Sequence, residues 1–405
     1  MNIRNALAGL LLFSFAPALR ASPQSSDQCI RDPFALKTAV SAGTAGVFCA
    51  AVLSADEQHE KSAKRQFSMV TSRNPRSEDS YQAHEHLFSM YFREGQYRRA
   101  DKELDQMLAE KPGKPDTVAI QSLVQALNRM RPMKVTARKT SSVRSEQSDG
   151  NLHISISING RPATYIVDTG ANVSLMSESE AKRLGMTVAN SSSRLTDMSG
   201  AQTGSVKVAE ARDLTIGRTR IRNVAFVVMP DSQEPFVDLP EEQRGILGLP
   251  VLMALGSFRV EREGIVTIAP PETETSPNSS PLAFVDLNPV TQVGFAGQTL
   301  TFTFDTGATS TTLNPAFGKL FPATVKEGTL KSHKLTGLGG STEHESSVVP
   351  SLTFEFGRQV KLISATIFLS DFNISQAWAA GNLGFDLMQQ ALPMTIDFTH
   401  MRIEF

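Results

Sequence analysis

Residues that build thiol, metal and serine-hydrolase sites are scarce in this chain, and their spacing fits none of those sites. The 405 residues include two cysteines and seven histidines, with no His-Glu-X-X-His segment and no Gly-X-Ser-X-Gly segment. Neither cysteine has a Cys or His at a ligand spacing, so we predict no metal site and no cofactor. A zinc-dependent or serine-dependent hydrolase is disfavoured, and the histidines are interpreted as solvated or locally hydrogen-bonded residues.

An excess of charge of either sign is also lacking. The 40 Lys and Arg residues nearly balance the 41 Asp and Glu residues, so no global field favours nucleic acid or an anionic membrane as a partner. One apolar run, from Ala6 to Leu19, follows Arg4 and contains small residues near its end. That layout predicts a signal peptide over residues 1–21, export to the periplasm or secretion, and no stable membrane span. An N-terminal anchor helix that is never cleaved is the alternative.

The two cysteines, Cys29 and Cys49, both lie near the start of the part that would be exported. Export would place them in an oxidising compartment, where a single disulfide between them is one prediction. Two unrelated buried thiols are the alternative, because the sequence does not show whether the two Cβ atoms approach closely enough.

Helix-forming residues at helical periods predict an α-helical region over residues 27–130. Part of this region resembles a tetratricopeptide repeat, in which two antiparallel helices would be joined near Gly95, and a weaker copy ends at Pro75. The positions that carry the resemblance are Leu87, Tyr91, Gly95, Tyr97, Ala100, Leu104, Met107 and Pro112. Such repeats often bind a partner protein, but two or three of them can instead form only a helical cap on the rest of the chain.

The polar, basic segment that follows, residues 131–150, is interpreted as an exposed linker. Beyond it, short β-branched and aromatic runs alternate with turn residues such as Asn159-Gly160, a pair typical of tight hairpins. The predicted fold class is therefore multidomain, with an N-terminal α-helical repeat region followed by an all-β bilobal region of small barrels.

The β-rich region contains an internal duplication. Four landmarks recur in the same order at a nearly constant offset: Asp168-Thr169-Gly170-Ala171 with Asp305-Thr306-Gly307-Ala308, Gly200 with Gly340, Gly217-Arg218 with Gly357-Arg358, and Ile246-Leu247-Gly248 with Asn382-Leu383-Gly384. A segment rich in Pro, Glu, Ser and Thr lies between the two copies. We therefore predict two lobes, residues 151–268 and 282–405, with a connector at residues 269–281.

The duplicated aspartates suggest a reaction. Hydrolysis of an amide needs a base to activate water and an acid to protonate the leaving nitrogen, and two adjacent carboxyls that share one proton supply both. Like charges at such a distance cannot both ionise, so the singly protonated pair persists over a usable pH range. Asp168 and Asp305 are the predicted catalytic residues.

Each aspartate is followed by residues that suit a tight loop. A glycine lets the backbone turn beside the carboxyl, and a threonine hydroxyl can hydrogen-bond across the lobe interface and orient both loops. The predicted supporting residues are Thr169, Gly170, Ala171, Thr306, Gly307 and Ala308.

These loops and the later apolar-apolar-Gly elements resemble those of the aspartic peptidases, in particular retropepsin-like bacterial members, over residues 151–405. The resemblance implies that the strands beneath the loops are braced by Ile246, Leu247, Gly248, Leu383 and Gly384. It also implies flaps that close over a peptide or protein substrate near Gly200, Gly339 and Gly340. Viral retropepsins take one Asp from each subunit of a homodimer, whereas the duplication here supplies both, so activity as a monomer is expected.

The sequence departs from the family pattern in three respects. Asn382 stands where an apolar residue is usual, which is expected to weaken the packing of the second lobe, and a flap tyrosine of the pepsin kind is absent. Ala171 and Ala308 replace the Ser or Thr of pepsin-like enzymes, so the dyad should ionise less readily and activity should peak at mildly acidic pH.

The function predicted from these residues is that of an aspartic endopeptidase. The alternative is a non-catalytic peptide-binding or scaffolding protein that keeps the cleft and the helical repeats. Intact Asp-Thr-Gly in both lobes argues against that alternative, because a protein that no longer cleaves has no chemical need for two carboxyls.

Overall fold

The computed structural model describes residues 29–43, 45–148, 150–191, 207–237, 239–269, 276–337, 340–370 and 378–405. The predicted signal peptide, residues 1–21, lies outside them. The first part of the described chain is helical, as predicted. Its helices are α1 (Pro33–Ser41), α2 (Val47–Asp56), α3 (Glu60–Arg73), α4 (Glu78–Arg93), α5 (Tyr97–Glu110) and α6 (Pro115–Asn128). No helix in the described ranges is both long enough and apolar enough to cross a membrane.

Helix ends in this region follow from local sequence. The Ser77 hydroxyl accepts the Ser80 amide at 3.1 Å and caps α4, whose first turn carries the acidic residues that favour a helix N-terminus. Gly95 has a φ of 70°, a left-handed conformation that reverses the chain between α4 and α5. The antiparallel pair predicted around Gly95 is therefore present, while its tetratricopeptide identity stays a prediction.

The first lobe is a β unit with two short helices. Its elements are β1 (Lys134–Ala137), β2 (Ser141–Ser148), β3 (Asn151–Ile158), β4 (Arg161–Val167), β5 (Ser174–Ser177), α7 (Glu178–Arg183), β6 (Val188–Asn190), β7 (Lys207–Ile216), β8 (Thr219–Met229), β9 (Gly245–Leu247), α8 (Leu249–Leu255), β10 (Ser257–Val260) and β11 (Ile265–Ile268). The β4 strand runs parallel to β9, and β5 runs parallel to β8.

The second lobe repeats this plan. Its elements are β12 (Ser279–Val285), β13 (Asn288–Phe295), β14 (Gln298–Phe304), β15 (Thr312–Leu313), α9 (Pro315–Leu320), α10 (Pro322–Glu327), β16 (Thr329–Gly337), β17 (Gly340–Phe356), β18 (Arg358–Phe368), β19 (Gly381–Leu383), α11 (Phe385–Ala391), β20 (Met394–Asp397) and β21 (Arg402–Glu404). Here β14 runs parallel to β19 and β15 parallel to β18, so the internal duplication extends to strand pairing.

An antiparallel sheet joins the two lobes beneath their barrels. Its strands follow the order β2, β11, β10, β20, β21 and β12. The central pair, β10 with β20, takes one strand from each lobe, from Ser257 opposite Asp397 to Val260 opposite Met394. Backbone hydrogen bonds therefore cross the lobe boundary and fix the position of one lobe relative to the other.

Residues 131–150 do not form the predicted exposed linker. They contain β1, which pairs with β8, and β2, which pairs with both β3 and β11. The prediction was wrong because β2 is almost wholly polar, and its strand conformation depends on backbone pairing with neighbours distant in sequence. For the same reason β12 begins at Ser279, inside the predicted connector of residues 269–281.

The first-lobe sheet is buried on both faces. Along β8, Val224, Phe226 and Val228 point into the barrel core, while Ala225 and Val227 belong to a core shared with the N-terminal helices. The second half of β8, residues 224–229, is therefore an uninterrupted apolar run, since both of its faces are covered. The helices are thus packed on the lobes, and an additional role in binding a partner protein stays a prediction.

Polar contacts also fasten the helical region to the second lobe. The Thr301 hydroxyl donates to Asp32 at 2.5 Å, and Arg31 lies 3.4 Å from Asp286. Cys29 and Cys49 form a disulfide with a Cα separation of 5.2 Å, which ties the segment before α1 to α2. The first of the two alternatives for the cysteines is the one observed.

Candidate active site

Each predicted catalytic aspartate lies at the end of a buried strand. Asp168 follows β4 and Asp305 follows β14. The Asp168 amide donates to the Leu247 carbonyl at 3.0 Å, and the Asp305 amide donates to the Leu383 carbonyl at 3.1 Å. The parallel strands β9 and β19 therefore hold the two aspartate loops in the same way.

Two glycines allow the chain after β9 and β19 to pass close beneath the loops. A Cβ on Gly248 would lie 2.6 Å from the Ala171 carbonyl oxygen, and one on Gly384 would lie 2.9 Å from that of Ala308. Neither approach leaves room for a side chain. The next amides, of Leu249 and Phe385, donate to these two carbonyls at 2.8 and 2.7 Å. The bracing segments thus contact the loops directly, with Ile246 paired to β4.

The two threonines form a reciprocal grip across the lobes. The Thr169 hydroxyl donates to the Phe304 carbonyl at 2.8 Å and accepts the Thr306 amide at 3.0 Å. The Thr306 hydroxyl donates to the Val167 carbonyl at 2.8 Å and accepts the Thr169 amide at 3.0 Å. Four buried hydrogen bonds therefore hold the two loops in register.

The grip brings each aspartate against the glycine of the opposite loop. A Cβ on Gly170 would lie 2.6 Å from Asp305 Oδ1, and one on Gly307 would collide with the Asp168 carboxyl. Only glycine permits this approach of backbone to carboxyl. The structure thus places the two carboxyls side by side, at the centre of the lobe interface.

Loop amides donate to one oxygen of each carboxyl. Asp168 Oδ1 accepts the Gly170 and Ala171 amides at 2.8 and 3.0 Å, and Asp305 Oδ1 accepts those of Gly307 and Ala308 at 3.0 and 3.2 Å. Asp168 is 0 % and Asp305 is 2 % exposed, so both carboxyls are shielded from solvent.

Burial raises the pKa of both carboxyls. The pKa of Asp168 lies well above its usual value, because burial penalises the charged form and the neighbouring Asp305 charge adds to that effect. Burial also raises the pKa of Asp305, against hydrogen bonds from Asn382 and the loop amides. A pair in which one proton is retained is the expected state at mildly acidic pH.

We expect Asp168→Asn to stabilise the folded chain at neutral pH. A carboxyl whose folded-state pKa is raised contributes most below its unfolded pKa, and stability falls as the pH rises through the folded value. Asparagine keeps an acceptor for the loop amides but does not titrate. Each unit of raised pKa corresponds to about 1.4 kcal/mol. Urea unfolding should therefore show a larger gain at about pH 7 than at about pH 4.

Asp231→Asn is a control variant for which the expected effect on the pH dependence of folding stability has the opposite sign. Burial alone would raise the pKa of Asp231, but hydrogen bonds from Ser179, Ser177 and Arg244 lower it below its usual value. Such a carboxylate stabilises the fold at neutral pH and loses that contribution on acidification. Equal pH dependence of the free energy of unfolding in wild type and Asp168→Asn would show that folding does not raise the pKa of Asp168.

Two functional candidates escaped the sequence reasoning. Asn382, expected to weaken the packing of the second lobe, is 3 % exposed and donates to Asp305 Oδ2 at 3.3 Å. Thr303 supports it with a hydroxyl that donates to Asn382 Oδ1 at 2.6 Å. The alignment of the two copies already singles out Asn382 opposite Ile246, and extending it by two strand positions before the aspartates would add Thr303 opposite Ile166.

The predicted flap residues are only partly covered. Gly200 and Gly339 lie outside the described residues. Gly340 begins β17 and pairs with Gly337 of β16, so it lies at the tip of a long hairpin. In the described ranges, no three His, Cys, Asp or Glu side chains cluster in a way that could hold a metal ion.

Comparison with known proteins finds a likeness within the first lobe. Residues 154–251 match a family model described as aspartyl protease, and no curated protein matches the sequence. Among solved structures, a retropepsin-like aspartic protease from Rickettsia conorii is 17% identical, with 34% of this chain and 94% of that chain covered and a TM-score of 0.23.

A second solved structure covers more of the chain. The aspartic proteinase from Irpex lacteus is 14% identical, with 65% of this chain and 96% of that chain covered and a TM-score of 0.39. The family match includes Asp168 and ends before Asp305, so the pairing of the two aspartates rests on the loop geometry. The chain is therefore similar to the aspartyl protease family over residues 154–251.

Proposed function

We propose that this protein is an aspartic endopeptidase that hydrolyses peptide bonds between Asp168 and Asp305. The observation that supports the proposal most is the reciprocal grip of Thr169 and Thr306, which sets the two carboxyls side by side. Two adjacent buried carboxyls destabilise the fold when charged, and acid–base catalysis is a function that needs this arrangement.

The chemistry follows from a pair that shares one proton. The ionised carboxyl takes a proton from water as the water oxygen bonds to the peptide carbonyl carbon, while the protonated carboxyl gives its proton to the carbonyl oxygen. The C–N bond of the resulting diol then breaks, the nitrogen receives a proton from the first carboxyl, and a diol hydroxyl returns one to the second. The pair ends in its starting state.

The single chain provides both halves of the site, so we propose that it acts as a monomer. The shared sheet beneath the lobes, centred on β10 and β20, fixes the relative position of the two aspartate loops without a second subunit. We further propose that a mildly acidic pH suits the reaction, because burial raises the pKa of both carboxyls.

The test is digestion of a peptide library of mixed sequence between about pH 3 and pH 7, with products read by mass spectrometry. Cleavage should be insensitive to chelators and serine reagents, and a peptide with a hydroxyethylene group in place of the scissile amide should inhibit it. A folded protein that binds such peptides at the site and cleaves none would favour the peptide-binding alternative.

We also propose that the protein is exported. The Cys29–Cys49 disulfide supports this, since disulfides persist mainly in oxidising compartments. Fractionation of the source cells should recover a chain that begins close to residue 22, with the disulfide formed. A chain found in the cytoplasm with its first residues intact and both thiols free would contradict export.

A further inference from the structure

The two lobes differ at one pair of residues directly beneath the aspartates. In the first lobe β4 and β9 place Ile166 opposite Ile246, and in the second β14 and β19 place Thr303 opposite Asn382. All four residues are buried. A buried polar pair in place of an apolar one costs folding free energy unless it is hydrogen-bonded. The hydrogen-bond partners of Thr303 and Asn382 therefore indicate why this polar pair is present.

A chain of hydrogen bonds leads from this polar pair to one catalytic carboxyl. The Thr303 hydroxyl donates to Asn382 Oδ1 at 2.6 Å, and Asn382 Nδ2 donates to Asp305 Oδ2 at 3.3 Å. The observed orientation of the amide satisfies both Thr303 and Asp305. A reversed amide would place an acceptor oxygen against the Asp305 carboxylate. The arrangement therefore favours a charged Asp305.

Asp168 has no counterpart to this donor. Its Oδ2 is buried and receives no hydrogen bond from any described residue, and the matching side chain, Ile246, has no donor to offer. The Oδ1 oxygens of both aspartates receive the same pair of loop amides. Among the described residues, Asn382 is thus a side chain that donates to one carboxyl of the pair and not to the other.

The other groups that face Asp305 are the amides of Gly307 and Ala308 from its own loop and the carboxyl of Asp168 from the opposite lobe. The amides have counterparts at Asp168, whereas the contact between the two carboxyls acts in the same direction as Asn382, raising the pKa of Asp168 and lowering that of Asp305. Asp168 is the titratable group among them. Burial raises the pKa of both aspartates, but that of Asp305 is opposed by the Asn382 hydrogen bond, while that of Asp168 lies well above its usual value.

We propose that Asn382 is a positioning residue that makes Asp305 the ionised member of the pair and leaves the shared proton on Asp168. This assignment rests on the proposed function. In the addition step Asp305 takes the proton of the attacking water, and Asp168 gives its proton to the carbonyl oxygen. In the collapse step Asp305 returns its proton to the leaving nitrogen, and Asp168 regains one from a diol hydroxyl.

The first test measures Asp305 alone. In an Asp168→Asn background, ¹³C chemical shifts of the aspartate carboxyls are followed against pH with and without Asn382→Ile. Loss of a hydrogen bond to a charged group should raise the pKa of Asp305 by about one unit. This measurement needs no turnover, so it can support the hydrogen-bond role even if the protein cleaves nothing. An unchanged Asp305 titration would overturn the proposal.

The second test separates this role from packing. Asn382→Ile alone leaves the Thr303 hydroxyl with only the Gly381 carbonyl, 3.3 Å away, as an acceptor. Thr303→Ile with Asn382→Ile recreates the Ile166–Ile246 pair of the first lobe. The acidic limb of the kcat/KM profile should move up by about one pH unit in both variants, with the alkaline limb moving less. Thermal unfolding should recover in the double variant. A double variant that recovers the wild-type pH profile would show that Asn382 acts only through packing.

Discussion

Asp168→Asn and Asp305→Asn are each expected to lower kcat/KM for peptide cleavage by about 10³-fold, a value typical of general acid–base catalysis. Either substitution removes the ability of the pair to hold and transfer one proton, while the acceptor of the loop amides is retained. Cleavage of one optimised peptide at the wild-type pH optimum provides the measurement.

Loss of activity is informative only if both variants remain folded. The four hydrogen bonds of the threonine grip involve neither carboxyl, so the lobe interface should persist. Both variants should give the circular dichroism spectrum of wild type. Their thermal unfolding temperatures at neutral pH should equal or exceed that of wild type. Full activity in one variant would mean that its aspartate takes no part in the chemistry.

Arg93→Met is expected to lower the free energy of unfolding by about 1–3 kcal/mol for each buried acceptor that it leaves without a donor. The guanidinium is 1 % exposed and donates to the carbonyls of Ala55 and Asp286, each at 2.5 Å. It also stacks 4.3 Å from the Phe284 ring centroid. Methionine keeps part of the stem and leaves both carbonyls without this donor.

Arg99→Met is the matched control. Its guanidinium also lies over an aromatic ring, 5.3 Å from the Tyr91 centroid, and pairs with Glu60, but its side chain is 49% exposed. An exposed pair of this kind contributes about 0–1 kcal/mol. Equal losses in the two variants by urea unfolding would show that Arg93 does not fasten the helical region to the second lobe.

The sequence was most informative where it repeats itself. Two copies of Asp-Thr-Gly-Ala, each after an apolar strand, predicted a two-lobed β region, and the structure has the helical and bilobal β-rich architecture expected. The repeated loops also led to the two residues that the fold brings together, Asp168 and Asp305. These loops can be predicted because each of them depends on its own local sequence.

Features that depend on distant contacts could not be predicted. The polar sequence of β2 predicts a linker, whereas its strand conformation depends on pairing with β3 and β11. Arg93 follows an apolar helix face and precedes a turn, a position where arginine usually meets water. It is buried by contacts with Ala55 and Gln58 of the helical region and with Asp286 of the docked second lobe. The effect of Asn382 was misjudged because its partners, Thr303 and Asp305, are far away in the sequence.

The central claim is that the two aspartates act as one unit, and the double variant Asp168→Asn/Asp305→Asn tests it most directly. Groups that share one catalytic task show strongly non-additive losses. We predict that kcat/KM of the double variant equals that of either single variant, since the first substitution already removes proton transfer. Losses that multiply in the double variant, or single variants that each retain half of the activity, would contradict a shared dyad.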